Sequence, residues 1–356
     1  MPFVLTYFRD LCAKYPTWSD LRPVLLATGL LIASEDSMPG RCIVRYDKSK
    51  PVAPELRWWR SVVWNTETNR PVAIAPPKTS VEPLPEAAAA ALVAQEYLDG
   101  FMIGAWREGA ATALATRSCI GATGTFYSKK SFATLFKEII GDRDLGSLVG
   151  AGFASFHCQH PEHRVVTPVT QAAAWRIHRG EVAADGTVVI EEDLVGDLAV
   201  PLAAAAATRA PWASQGVVYR DGAGSRWRVR SPAYQMVRSL RGNDMRADVR
   251  FVRLWQQRLL DTYLCYYPEE AATYQALLRQ LDYIVGVLYT MYVGVHIKKI
   301  MKLDGIDPMW RPHVYALHGH YVSTLKPAGV FVRRKDVAEY LEKLPWQRLV
   351  FLMTRA

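Results

Sequence analysis

Two arginines separated by a single residue, Arg228 and Arg230, give the first indication of chemistry in this chain. They lie in a run from Gly216 to Arg230 whose residue types favour β-strands. Side chains alternate between the two faces of a strand, so both guanidinium groups project from one face, as two cations that hold one phosphate must. The net charge of +9 favours a polyanionic partner, and nucleic acid, nucleotide phosphates or an acidic membrane surface would each satisfy it.

The histidines do not predict a metal site. His157, His160 and His163 surround Cys158, but on a strand His157 and Cys158 face opposite ways, and no second pair of ligands has zinc-site spacing. The sequence also lacks the Gly-x-Ser-x-Gly elbow of hydrolases and the phosphate-binding Walker loop. We therefore expect no metal, and we expect neither a serine hydrolase nor a P-loop enzyme.

A block that resembles a nucleotidyltransferase motif lies between Gln95 and Trp106. Its centre reads Tyr97-Leu98-Asp99-Gly100, which is similar to the Lys-x-Asp-Gly nucleophile block of RNA ligases and related covalent nucleotidyltransferases. In that family a neutral lysine attacks the α-phosphate of ATP and forms a lysyl-nucleotide. Tyr97 occupies the lysine position, and a phenol does not replace that amine.

The resemblance extends through further blocks in the family's order, over about residues 40–232. In phage-type RNA ligases these blocks carry cations that face the phosphates of the nucleotide. This chain keeps a basic residue at each of the matching positions, which are Arg60, Lys78, Arg117, Arg228 and Arg230. The resemblance therefore implies that Asp99, Gly100 and these cations line a nucleotide-binding cleft.

The two carboxylates that the family uses for chemistry are replaced. His157 stands where a glutamate contacts the ribose, and Gln215 stands where a glutamate helps to hold the metal. An amide is a poor ligand for Mg²⁺, which prefers carboxylates and water. With Tyr97, these replacements predict a catalytically degenerate protein that binds RNA or a nucleotide such as ATP. Mg²⁺ is expected only if catalysis survives.

Two alternatives stay open at this point. Lys78 is a candidate displaced nucleophile, in which case the chain is an active nucleotidyltransferase or RNA ligase. In the second alternative, the chain is a structural or assembly protein that reuses the fold, and its basic surface serves packing.

The distribution of apolar residues predicts a mixed α+β region followed by a helical one. Strands are predicted at 41–46, 60–64, 72–74, 100–117 and in several runs from 150 to 230. Alanine-rich helices are predicted at 86–94 and 202–209, and helices at 131–140, 246–263, 269–302 and 335–344. We place an RNA ligase-like nucleotidyltransferase domain of antiparallel sheets with flanking helices at 1–242. An all-helical domain follows at 243–356.

A second set of arginines lies in the helical region. Arg246, Arg250 and Arg253 follow each other at intervals of four and three, which places them on one face of a helix. This pattern is typical of a solvated face of an amphipathic helix, and it also fits a surface that contacts the RNA backbone. Lys298, Lys299 and Lys302 form a candidate second patch of the same kind.

Composition indicates an intracellular protein. The five cysteines are scattered and form no Cys-x-x-Cys pair, which favours a reducing compartment. No apolar run reaches the roughly 20 residues that span a bilayer, and the N-terminus does not look like a signal peptide. We expect a cytoplasmic or nuclear protein with no membrane partner, whose oligomeric state the sequence leaves open. Residues 159–164 and 237–243 also resemble uncharacterised proteins of large DNA viruses, which suggests a virus-infected host cell.

Overall fold

The computed structural model of the protein describes residues 3–81, 93–191, 211–221 and 224–356. The chain divides into two compact units, Met1–Met236 and Val237–Ala356. Helices and antiparallel sheets are mixed in the chain, so the predicted α+β class is confirmed. The finer assignment to a nucleotidyltransferase fold stays a prediction.

The strands all belong to the first unit. They are β1 (Phe3–Leu5), β2 (Leu30–Ala33), β3 (Arg41–Tyr46), β4 (Val62–Asn65), β5 (Arg70–Ile74), β6 (Val93–Glu96), β7 (Phe101–Glu108), β8 (Ala111–Ala115), β9 (Phe153–Gln159), β10 (Ala173–Val182), β11 (Val188–Glu191), β12 (Gly216–Arg220) and β13 (Arg226–Arg230). Its helices are α1 (Tyr7–Lys14), α2 (Trp18–Ala27), α3 (Phe132–Ile140) and α4 (Leu145–Val149), and α5 (Pro232–Arg241) follows β13.

The described strands form three antiparallel sheets. A six-stranded sheet has the order β1-β11-β10-β9-β7-β8, and a four-stranded sheet has the order β2-β3-β4-β5. The smallest sheet, β13-β12-β6, joins the consecutive strands β12 and β13 to β6, which lies much earlier in the sequence. This sheet positions part of the predicted site, because it holds the start of the nucleophile block and the Arg228 and Arg230 strand on either side of β12.

Aromatic side chains fill the core between the first helix and the four-stranded sheet. Phe8 on α1 meets Trp59 edge to face with ring centroids 5.1 Å apart, and Trp59 lies 5.9 Å from Trp64 on β4. All three are fully buried, as is Trp106 on β7. Large rings of this kind contribute much of the apolar burial that stabilises a unit.

A second core forms where α3 covers the six-stranded sheet. The apolar spacing predicted a helix over 131–140, and the structure confirms it, with the Ser131 hydroxyl accepting a hydrogen bond from the Thr134 amide at the N-terminus. Leu135 and Phe136 are fully buried, and Phe136 lies 5.3 Å from Phe156 on β9. This packing fixes the strand that carries His157.

The second unit is helical in its described residues, as predicted. It contains α6 (Ala247–Gln256), α7 (Leu260–Tyr266), α8 (Ala271–Tyr292), α9 (Arg311–His320), α10 (Arg334–Glu342) and α11 (Trp346–Arg355). A π-helical turn, Val293–Ile297, extends α8. In the part of the chain that the structure describes, no helix is long and apolar enough to cross a membrane.

Two predicted elements differ in the structure. The strand expected over 60–64 begins only at Val62, because Pro54–Arg60 is a 3-10 helix that turns Trp58 and Trp59 into the core. The single helix expected over 246–263 is split into α6 and α7. Arg258 adopts a left-handed backbone conformation, and the Leu259 amide donates to the Leu254 carbonyl, which ends α6 in a Schellman motif.

The alanine-rich helices lie almost wholly outside the described residues. This applies to 202–209 and to the predicted helix 86–94 up to residue 92. Its last two residues, Val93 and Ala94, instead begin strand β6 and pair with β12. Sheet pairing overrides the helical preference of alanine at that end.

Candidate functional site

One face of the β13-β12-β6 sheet gathers the predicted phosphate-binding arginines. Arg230 pairs with Gly216 and Arg228 pairs with Val218, so both arginines project from the same face. The Tyr97 amide donates to the Gly216 carbonyl at 2.9 Å, which extends the β6 pairing by one residue. Tyr97 therefore lies beside Arg230.

Tyr97 is in direct contact with the arginines of β13. Arg230 donates from Nη2 to the Tyr97 hydroxyl at 3.3 Å, and its guanidinium lies 5.5 Å from the centre of the Tyr97 ring. Burial raises the pKa of the phenol, but Arg230 and Arg228 lower it by more, so the pKa lies below its ordinary value. The position that resembles the family's nucleophile thus holds a phenol inside a positive environment.

The loop after β5 brings Lys78 and Thr79 to the same strand. The Ser80 amide donates to the Arg226 carbonyl at 2.7 Å, and the Arg228 amide donates to the Ser80 carbonyl at 3.0 Å. The Arg228 side chain then donates to both the carbonyl and the hydroxyl oxygen of Thr79, each at 3.1 Å. Lys78 is exposed, and burial of its stem together with Arg228 and Arg60 lowers the pKa of its amine.

Arg60 and Arg117 complete the group. Arg60 donates to the Pro76 carbonyl at 3.2 Å, and Arg117 donates to the Tyr46 carbonyl at 2.6 Å. Burial lowers the pKa of both guanidinium groups, and a neighbouring arginine lowers each further, Arg228 for Arg60 and Arg45 for Arg117. These interactions place the two guanidinium groups in the same positively charged environment as Arg228 and Arg45.

We call these residues the basic cluster: Arg60, Lys78, Arg117, Arg228 and Arg230. No member forms an ion pair with a carboxylate in the part of the chain that the structure describes, although Asp47 acts on Arg117 through longer-range electrostatics. Their hydrogen bonds go to backbone carbonyls, to Thr79 and to the Tyr97 hydroxyl. Positive charge that lacks a protein counter-charge favours an anionic ligand.

Asp99 and Gly100, which the family resemblance assigns to nucleotide binding, have structural contacts. Asp99 is buried, and its Oδ2 accepts the backbone amides of Val166 at 2.7 Å and Thr167 at 3.0 Å. Gly100 has a φ of +151°, and a Cβ there would lie 2.1 Å from the Cys158 carbonyl oxygen. Asp99 is explained by the loop that follows β9, and Gly100 is explained by the close approach of β9. Neither residue type requires a ligand.

His157 and Gln215 lie at the edge of the same region. Burial lowers the pKa of His157, the Asp99 backbone opposes that shift, and the charges of Arg226 and Arg60 reinforce it, so the ring is neutral at pH 7. Gln215 is buried directly before β12, and its carbonyl accepts from the Ser231 amide at 3.1 Å. Neither side chain supplies the negative charge that a glutamate would bring.

Arg226, Arg220 and Arg45 also belong to this environment, and the sequence argument did not single them out. Arg226 precedes Arg228 by two residues, so the alternation that aligns Arg228 with Arg230 predicts it too. Arg220 pairs with Arg226 across β12 and β13. That contact depends on the register between strands, which the sequence alone does not reveal.

No protein-family model matches this chain, and no curated protein matches it. The geometry of the site therefore carries the functional argument.

The histidines outside the site have structural partners. His163 is buried against Phe101, with ring centroids 4.9 Å apart. His160 contacts Glu138 and lies close to Glu162. Among the described residues, these three form a group that could hold a metal ion. Lys130 lies between the two carboxylates, 2.9 Å from Glu138 and 2.6 Å from Glu162, and supplies their counter-charge.

The arginines of α6 are held by carboxylates. Arg250 is buried and pairs with Glu270 at 3.0 Å, while Arg253 pairs with Asp244 at 2.9 Å. Arg246, immediately before α6, pairs with Asp248. These contacts support the solvated or structural interpretation of the pattern for this helix, and Arg250 is buried too deeply to reach an RNA backbone.

Lys298, Lys299 and Lys302 are exposed after the π-helical turn. None of them forms an ion pair within the described residues. They lie in Val237–Ala356, whereas the basic cluster lies in Met1–Met236.

Proposed function

We propose that Met1–Met236 is a catalytically degenerate, RNA ligase-like unit that binds a phosphate-bearing ligand, RNA or a nucleotide such as ATP, at the basic cluster. The observation that carries this proposal is the convergence of the cluster's cations without a carboxylate partner among the described residues. Like charges held together and partly removed from water raise the free energy of the folded state. A bound phosphate offsets that cost through charge-assisted hydrogen bonds.

Loss of chemistry is supported by the residues that stand at the reacting positions. Tyr97 replaces the lysine nucleophile, and its hydroxyl already accepts a hydrogen bond from Arg230. His157 and Gln215 replace carboxylates, so they do not provide the acidic ligands that Mg²⁺ prefers. The chain keeps the cations that would bind a phosphate. It lacks the residues that would carry out chemistry on that phosphate.

A binding assay tests the proposal directly. A fluorescent single-stranded RNA with a 5′-phosphate is titrated with the protein over a series of salt concentrations. We expect affinity to fall steeply with salt, and the combined Arg228→Ala and Arg230→Ala variant to bind at least tenfold more weakly. Removing two phosphate contacts should also reduce the slope of log K against log salt by about 1.4, since each contact contributes about 0.7 for single strands.

Arg22→Ala is the matched control, because Arg22 is exposed in the same unit and pairs with Glu35 outside the cluster. Circular dichroism and thermal unfolding establish that each variant is folded. Binding that is equal in the double variant and in the control contradicts the proposal. Absence of any binding to RNA or ATP favours the structural or assembly role instead.

A second candidate function is supported by Lys78. Its pKa is lowered by burial and by Arg228 and Arg60, which increases the fraction of neutral amine that attacks phosphorus. The protein is incubated with α-labelled ATP or GTP and Mg²⁺, denatured and examined for covalent label. We expect none. A label that is lost in Lys78→Arg would show that the chain is an active nucleotidyltransferase.

A further inference from the structure

The basic cluster contains five cations, and their number limits the ligand. Arg117 interacts with Arg60, Arg60 with Arg228, and Lys78 with all three. Arg230 donates a hydrogen bond to Tyr97. Alternate residues of a strand are about 7 Å apart and face the same way, so Arg228 and Arg230 can hold one phosphate between them. Arg60, Lys78 and Arg117 are available for further phosphates.

Charge balance points the same way. A single terminal phosphate carries about −1.5 to −2 charges near neutral pH, which leaves about three cations of the cluster uncompensated. Further linked phosphates bring additional oxygens and negative charge to the same cluster. A chain of phosphates therefore matches the charge of the cluster better than a single phosphate does.

Among the residues that the structure describes, those around the cluster do not offer a site for a divalent cation. Gln215 and His157 occupy the positions where carboxylates would be needed, and the Asp99 Oδ2 is already bound to two backbone amides. Guanidinium groups are permanently charged and donate several hydrogen bonds in a fixed plane, so they neutralise phosphate oxygens without a metal.

We propose that the basic cluster binds two or more linked phosphates without a divalent metal ion. This inference rests on the proposed function and specifies its ligand. Two sources share the chemistry, a free nucleoside di- or triphosphate and an RNA end that carries a 5′-di- or triphosphate.

Isothermal titration calorimetry in the presence of EDTA tests the chain-length requirement, with inorganic phosphate, pyrophosphate and tripolyphosphate as probes. We expect tripolyphosphate to bind at least tenfold more tightly than phosphate. Arg117→Gln should weaken tripolyphosphate binding severalfold more than it weakens phosphate binding, because Arg117 is not part of the Arg228 and Arg230 pair. Arg22→Gln should change neither affinity. Millimolar Mg²⁺ should weaken tripolyphosphate binding, since the metal competes with the cations for the same oxygens.

Two results would overturn the inference while leaving the proposed function intact. Phosphate that binds as tightly as tripolyphosphate removes the chain-length requirement, and binding that needs Mg²⁺ removes the metal independence. If none of the probes binds and RNA does not bind either, the proposed function fails as well.

A competition experiment identifies whether the linked phosphates belong to a free nucleotide or to an RNA end. AMP, ADP and ATP are compared with one RNA sequence that carries a 5′-hydroxyl, a 5′-monophosphate or a 5′-triphosphate. Preference for ATP among the nucleotides, or for the triphosphate end among the RNAs, supports the inference and names the ligand. Equal affinity across both series contradicts it.

Discussion

At the scale of single residues, Tyr97 shows how position changes the chemistry of a side chain. Its phenol is half-buried, which alone would make ionisation harder. Arg230 donates to the phenol oxygen, and Arg228 lies close enough to favour the phenolate. The ionisation of Tyr97 therefore depends on the charge of the basic cluster.

Ionisation of Tyr97 gives the first prediction. Because the pKa of Tyr97 lies below the ordinary tyrosine value, ultraviolet titration of the native protein should show a phenolate phase that begins earlier than the rest. Tyr97→Phe should remove that phase. Tripolyphosphate should shift the phase to higher pH, because a bound anion reduces the stabilisation of the phenolate by Arg230. An early phase that persists in Tyr97→Phe would assign it to another tyrosine.

Asp99 gives the second prediction, on stability. Its Oδ2 accepts two buried backbone amides, and each amide left without a partner costs about 1–3 kcal/mol. Asp99→Ala should lower the free energy of unfolding by at least about 2 kcal/mol in a urea titration. Asp10→Ala, at an exposed residue of α1, is the control. A loss in Asp99→Ala no larger than in the control would show that the loop does not depend on this carboxylate.

At the scale of secondary-structure elements, the end of α6 stores backbone strain. Arg258 has a φ of +59°, a region that costs an ordinary L-residue free energy and that glycine enters readily. Its side chain is exposed and pairs with Glu342 at 2.7 Å, a surface contact that contributes little.

This strain gives the third prediction. Arg258→Gly should raise the melting temperature by a few degrees, because the relief of strain exceeds the loss of a surface ion pair. Arg258→Ala loses the same ion pair but keeps the strained conformation, so it should leave the melting temperature unchanged or lower it. Differential scanning calorimetry of both variants separates the two effects. Equal melting temperatures for the glycine and alanine variants would mean that the backbone is not strained there.

Local patterns predict some of these elements and miss others for identifiable reasons. Alternation along β13 places Arg228 and Arg230 on one face, and apolar spacing finds α3, since both depend on neighbours in sequence. The role of Asp99 depends on amides almost seventy residues away, and burial of Arg250 depends on Glu270. Contacts of that kind are set by tertiary packing, which a pattern of residue types does not contain.

At the scale of the whole molecule, the basic cluster of the first unit differs from the arginines around Glu270 in the second unit. In the first unit the basic cluster has no carboxylate partner among the described residues. In the second unit Arg241 and Arg250 both pair with Glu270, and Tyr263 donates to the same carboxylate at 3.0 Å. The two groups of arginines thus differ in whether a carboxylate among the described residues balances their charge.

The Glu270 network gives the fourth prediction. Burial raises the pKa of Glu270, but Arg241 and Arg250 lower it by more, so the pKa is lower in the folded than in the unfolded chain. Such a carboxylate stabilises the folded state above its unfolded pKa, and that contribution is lost as pH falls through the folded pKa. Removing one partner of a buried ion pair costs about 3–5 kcal/mol, and we expect a loss of that size in Glu270→Gln at pH 7.

The measurement is urea unfolding of the full chain from pH 7 to pH 3, followed by near-ultraviolet circular dichroism. Below the unfolded carboxyl pKa the wild type should approach the stability of Glu270→Gln, whose own dependence on pH should be shallower. Glu342→Gln, which removes the exposed partner of Arg258, is the control and should follow the wild type. Parallel curves for wild type and Glu270→Gln would contradict the assignment.

The arginines around Lys78 also make the proposed binding of a phosphate ligand depend on pH. The free protein holds the amine of Lys78 at a lowered pKa, because burial and the charges of Arg228 and Arg60 disfavour the ammonium form. A phosphate bound among these groups would oppose the effect of the arginines and raise the pKa of the Lys78 amine. The affinity for the proposed phosphate ligand should therefore decline as the medium becomes alkaline and Lys78 loses its proton. The cluster would then act as a proton-coupled receptor whose occupancy depends on pH as well as on ligand concentration.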